Sequence, residues 1–211
     1  VMSQAEHRLE NEEYRAQINE TLKDEGLEYT GKTPTRHLLW IIVEEIGEKK
    51  FKSLVKRKLE GLNLAPFYGC YLVRPSKALK FYEYPERETC LEDLTEWVGA
   101  KPTEYSGSRA CCGFPILTIN EKAALKMVGN HTSTAKDLGA DAMVTPCPLC
   151  HLNLDQYQSR AAGMMKRQID LPIIHVPQLV GLALGLDPIE LKINKHIIST
   201  KKLLSELALR P

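Results

Sequence analysis

Five of the six cysteines stand where thiols from distant segments could meet at one chemical centre. Cys111 and Cys112 are adjacent, Cys147 and Cys150 form a C-x-x-C, and Cys70 follows Tyr68-Gly69. None occurs before residue 70 or after residue 150. Clustered thiols in a chain with a sizeable core and no export signal bind metal more often than they pair. A structural zinc closes a tetrahedron with four sulfur ligands, and this pattern offers five. Side chains at i and i+1 diverge, so Cys111 and Cys112 make an awkward pair on one small ion. A body with several metal atoms could use both, which favours iron–sulfur ligation over a single zinc. Cys90 stands apart: it opens an amphipathic segment beside Leu91 and reads as a packed or half-exposed thiol.

The elements that must position these residues alternate. Residues 62–68 read as a strand leading to Cys70, 89–98 as a helix, and 102–105 as a weak strand before the loop to Cys111 and Cys112. Residues 120–138 read as a long helix and 142–145 as a short buried strand entering Cys147. Residues 151–167 are helical, 171–174 form a strand ending at His175, and 177–184 form a further helix. Such alternation predicts an α/β fold: a mainly parallel sheet of about four strands, with helices on both faces. In open sheets of this kind ligands bind outside the carboxyl ends of the strands, where the cysteine loops are expected. The C-x-x-C places Cys147 just before a helix and Cys150 within it, and a helix N-terminus favours the thiolate.

Upstream, residues 4–25 have the apolar spacing of one amphipathic helix ending at Gly26. A second helix is expected from residues 33–35 to Gly47, and a short basic one over 49–60. The chain starts at Val1, nearly inside the first helix, which suggests a fragment. The expected division is a helical extension over 1–60 and a metal-binding domain over 61–211.

Composition narrows the partners. Lys plus Arg number 28 against 27 Asp plus Glu, a net charge of +1 over 211 residues. Nothing there points to nucleic acid or to an anionic membrane. The longest apolar runs are far below the roughly 18 residues that would suggest a membrane span. Unpaired thiols suit a reducing compartment, and the expected location is the cytoplasm. The basic face of 49–60 reads as solvated surface, with docking to an acidic partner as the sharper alternative. His151 and His175 are candidates for supporting contacts around the metal. Arg74, Lys80 and Arg109 lie near ligand loops and could offset negative charge, although solvated surface is the simpler reading.

Tyr68-Gly69-Cys70, Cys111-Cys112-Gly113 and Cys147-Pro148-Leu149-Cys150 resemble the cysteine-rich CCG domain of the heterodisulfide reductase B subunit and its relatives. The resemblance covers about residues 7–200. It implies a non-cubane 4Fe–4S cluster held by Cys70, Cys111, Cys112, Cys147 and Cys150. It further implies a disulfide oxidoreductase subunit acting in disulfide or sulfur redox chemistry. Ferredoxin-like iron–sulfur and flavoprotein subunits are the implied partners, and a disulfide or sulfur carrier the implied substrate. Members of that family carry two CCG motifs and this sequence one, so a second CCG domain is expected to complete the reaction. Tyr71 stands where methanogen members have a histidine. The methanogen substrates, coenzyme M and coenzyme B, and those of sulfur-oxidising or other relatives therefore remain alternatives. Two rival readings are an electron-transfer CCG module of a succinate, glycolate or lactate type dehydrogenase, and a zinc-stabilised scaffold.

Overall fold

The structure, a computed structural model, describes residues 2–32 and 34–209. The single helix expected over 4–25 is divided into α1 (Met2–Leu9) and α2 (Glu12–Leu22). Asn11 makes the break: its side chain accepts the Tyr14 N–H at 2.8 Å and caps α2. Gly26 then takes a left-handed conformation and ends the segment, as expected. The next helix begins later than its sequence suggests. Thr33 lies outside the described residues, 34–37 carry no helix, and α3 (Leu38–Trp40) starts behind His37. His37 Nδ1 accepts the Leu39 N–H at 3.1 Å, so the imidazole acts as the cap. A π-helical stretch over Ile41–Ile46 leads to α4 (Gly47–Leu54). The helix expected over 49–60 stops there, because the Lys56 and Arg57 amides both bond to the Ala183 carbonyl instead.

The remainder runs β1 (Asn63–Pro66), α5 (Ser76–Leu79), α6 (Cys90–Trp97), β2 (Lys101–Pro102), α7 (Glu121–Asp137), β3 (Ala142–Thr145) and α8 (Pro148–Gln156). It closes with α9 (Gln158–Met165), β4 (Ile173–His175), α10 (Val176–Ala183) and α11 (Lys201–Glu206). The helix expected over 151–167 therefore starts at Pro148, a residue suited to a first turn, and breaks at Tyr157. The strand expected from residue 171 starts at Ile173. Leu171 gives its N–H and C=O to the Gln158 side chain, at 2.7 and 2.9 Å, rather than to the sheet. Helices α5 and α11 were not foreseen, being too short to show a helical period.

The four strands form an all-parallel sheet in the order β2-β1-β3-β4, with Leu64 opposite both Pro102 and Ala142, and Val144 opposite Ile174. Alternate strand residues point to opposite faces. Leu64, Val144 and Ile174 join one core with Leu39, Phe51, Leu94 and Leu179. Ala65, Met143 and Ile173 join the other with Val128, Leu154 and Ala161 of α7, α8 and α9. Helices thus cover both faces, as the strand–helix alternation predicts. From β1 the chain builds the sheet first towards β2 and then, through β3, the other way. The loops after β1 and β3 diverge at that reversal and open a crevice.

Candidate metal centre

The cysteines border this crevice. Cys70 follows β1, Cys111 and Cys112 lie in the loop after β2, and Cys147 and Cys150 follow β3 at the start of α8. All six cysteines are unpaired. The Cys111 and Cys112 thiols both act on that of Cys70. Cys150 acts in turn on Cys112 and on Cys147. Five sulfurs from three segments are thus electrostatic neighbours. Among the described residues no three His, Cys, Asp or Glu side chains converge on a point fit for one metal ion.

Two glycines explain the approach. A Cβ on Gly69, at φ +68°, would lie 2.6 Å from the Cys150 sulfur, so glycine lets the β1 loop and α8 meet without displacing that thiol. A Cβ on Gly113, at φ +97°, would lie 2.9 Å from the Ala124 carbonyl oxygen. That bare backbone seats the Cys111–Cys112 loop directly on α7. Polar contacts complete the frame. Tyr68 and Gly69 donate their N–H groups to the Ser108 carbonyl at 2.8 and 3.3 Å, joining the first two ligand loops. Asn153 donates to the Cys112 carbonyl at 2.8 Å, and His131 Nε2 lies 3.0 Å from that of Cys111.

The electrostatics divide the set. The Cys150 thiol, followed by the Leu149 and Cys150 amides at the start of α8, draws Cys147 down to about 6. Cys112 is also lowered, chiefly by the Cys150 thiol. Cys150 is raised, because its proton is held between the Cys112 and Cys147 sulfurs. Burial, and then Cys111, raises Cys70 to about 11. The unmetallated site therefore keeps thiolate character on Cys147 and shifts Cys112 in the same direction.

The histidines back the C-x-x-C loop. His175 Nε2 lies 3.2 Å from the Pro146 carbonyl, a group that also acts on His37. His151 packs between His175 and His196, with ring centroids 6.0 and 4.8 Å away, and its buried Nε2 has no protein partner. Burial keeps all four imidazoles below their usual range, His37 at about 4. An apolar cavity of about 320 Å³, lined by His37, Trp40, Tyr71, Leu72, Pro146 and Cys147, adjoins the loop.

Cys90 is fully buried at the start of α6, in the opposite core from Cys112, Cys147 and Cys150. Arg74 and Lys80 are exposed, whereas Arg109 is not simply solvated surface. It pairs with Glu88 at 3.4 Å and lies over the Tyr68 and Phe81 rings. Sequence reasoning missed Gly69, Tyr105, His131, Asn153 and His37. Adjacency to Cys70 could have signalled Gly69, but the partners of the others arise through tertiary packing.

The sequence profile of the cysteine-rich (CCG) domain family matches residues 64–155, a span that holds all five of these cysteines. Over 98% of its length the chain is 32% identical to the B subunit of the ferredoxin/F420H2-dependent CoB–CoM heterodisulfide reductase of Methanosarcina acetivorans, covering 69% of that protein. The chain belongs to the heterodisulfide reductase B-subunit family. Another relative in this CCG-containing group, at 31% identity, is the protein of Archaeoglobus profundus described as like the heterodisulfide reductase B subunit; 89% of this chain matches 64% of it. A third relative is the 8-methylmenaquinol:fumarate reductase membrane anchor subunit of Wolinella succinogenes. It is 38% identical over 89% of this chain and 65% of its own length. The chain thus spans about two thirds of the length of these relatives. A solved structure of a hypothetical protein from Helicobacter pylori shares the fold, with a TM-score of 0.68 and 19% identity over 93% of this chain and 35% of that one. Among the described residues of this family member, no helix is long and apolar enough to cross a membrane.

Proposed function

We propose that Cys70, Cys111, Cys112, Cys147 and Cys150 hold a non-cubane 4Fe–4S cluster, and that the chain serves a heterodisulfide reductase-like oxidoreductase as an iron–sulfur subunit or part of one. The observation that carries this reading is the gathering of five thiols from three loops at one edge of the sheet, each acting electrostatically on its neighbours. Five soft donors exceed the four that close a tetrahedral zinc site and suit a cluster better than zinc, which stands as a substitute metal. When bound, such a cluster supplies one-electron transfer and iron to which sulfur can bond.

The chain's own residues prepare that chemistry. Cys147 presents thiolate character, Cys150 gives up its proton on metallation, and α8 directs its N-terminal amides at the charge. Residues 61–211 are assigned the cluster domain and 1–60 its helical extension, with His151 and His175 as supports of the C-x-x-C loop. Reducing a disulfide takes two electrons and two protons and yields two thiols. A single cluster passing one electron per step needs a second centre, here a second CCG domain upstream or in a partner. Ferredoxin-like iron–sulfur and flavoprotein subunits in the cytoplasm would supply the electrons, and a disulfide or sulfur carrier would receive them.

The Wolinella relative favours a second reading, an electron-transfer module of a dehydrogenase-type complex. Stopped-flow reoxidation of the reconstituted, reduced chain separates the two. Reoxidation by disulfides is expected, with two chains consumed per disulfide. Reoxidation by quinones but not by disulfides would favour the second reading.

A further inference from the structure

Tyr105 lies beyond β2, in the loop leading to Cys111, and its ring packs against the core that contains Cys112, Cys147 and Cys150. Its neighbours hold it closely. A Cβ on Gly107 would lie 2.8 Å from the Tyr105 ring and 2.8 Å from His131 Nδ1, so bare backbone lets tyrosine and histidine close together. The two rings meet edge-on with centroids 6.4 Å apart. His131 is tied to the Cys111 carbonyl and stacked near Phe67, at 5.0 Å. The phenol therefore has a fixed direction rather than a choice of rotamers.

The hydroxyl at the end of this ring is buried and has no protein hydrogen-bond partner. Burying a hydroxyl without a partner costs about 1–3 kcal/mol, and phenylalanine would fill the same apolar space without that penalty. Burial raises the phenol well above its usual range, and the charged neighbour acting on it is Cys150. A neutral donor without a partner thus packs against the core that holds Cys150, whose sulfur becomes a thiolate on binding metal. Resting on the iron–sulfur reading above, we infer that the Tyr105 hydroxyl donates a hydrogen bond to the Cys150 sulfur of the loaded site and tunes the reduction potential of the centre. Such a bond withdraws electron density from the thiolate and favours the more negative, reduced state. Tyr105 is a donor to the cofactor and takes no part in proton transfer.

The test uses the full chain, reconstituted anaerobically with iron and sulfide, as wild type, Tyr105→Phe, and with ring-fluorinated tyrosine in place of Tyr105. Potentiometric titration gives the midpoint, and proton ENDOR in light and heavy water gives the exchangeable protons coupled to the cluster. Expected are a more negative midpoint and the loss of one exchangeable coupling in Tyr105→Phe. The fluorinated phenol, a stronger donor, should shift the midpoint positively. If Tyr105→Phe fails to load, the fluorinated protein decides. Equal midpoints and couplings among the loaded proteins overturn this inference alone. A wild-type chain that takes up no iron and sulfide overturns the iron–sulfur reading and this inference with it.

Discussion

Cys70 and Cys111 lie half-buried in loops, whereas Cys112, Cys147 and Cys150 are buried where α7 and α8 pack on the sheet. On the half-buried side, desolvation and then Cys111 raise Cys70. The second set shares protons inward: Cys112 and Cys147 fall while Cys150 rises. The buried side is therefore built as an anchor for charge. The more open side adjoins half-exposed Tyr71. One crevice combines a rigid holder with an accessible face.

Removing one thiol from each side should break the symmetry of the ligand set most sharply. Cys150→Ser is expected to abolish cluster loading, because Cys150 joins Cys112 to Cys147. Cys70→Ser should retain a bound cluster with altered EPR and faster loss in air. Iron content and EPR of the two proteins measure the contrast, and equal loss from both would erase it.

The glycines sharpen the same difference. Gly113→Ala drives a Cβ into the α7 backbone at positive φ, which cannot yield, and should cost about 3 kcal/mol of stability. Gly69→Ala meets a thiol that can rotate, and should cost only about 1–2 kcal/mol while lowering iron uptake. Urea denaturation of the metal-free proteins ranks them.

The anchor is also backed by His37, whose folded value of about 4 lies below the 6.5 of the free side chain. Below pH 6.5 the unfolded chain binds a proton that the folded one refuses, so stability falls with pH. The loss grows down to about pH 4 and totals up to about 3 kcal/mol. His37→Gln should flatten this acid limb of the denaturation profile and leave stability at pH 8 within about 1 kcal/mol. An unchanged slope would show that the imidazole does not carry it. The smallest expected signal is a thiolate absorbance step near pH 6 in the metal-free chain, abolished by Cys147→Ser and kept in Cys70→Ser.

The ligand set was legible as chemistry because cysteine identity and spacing need no knowledge of packing. The sheet was legible through runs such as 142–145, which became β3 with the same bounds. Likewise, Asn120 marks the start of α7, where its side chain accepts the Ala123 N–H. Interruptions were hidden when a side chain replaced a backbone partner: Asn11 splits the first helix, and Gln158 occupies the backbone of Leu171. The frame of the site was hidden for a related reason. Gly69, Tyr105 and Asn153 act on residues 41 or more positions away, contacts that no local period encodes.

Iron, zinc and acid-labile sulfide, measured on chain expressed and reconstituted without oxygen, bear most directly on the five-thiolate centre. The account predicts iron and sulfide in the stoichiometry of one 4Fe–4S cluster per chain, lost on Cys150→Ser. One zinc per chain without sulfide, retained through reconstitution with iron and sulfide, would contradict it.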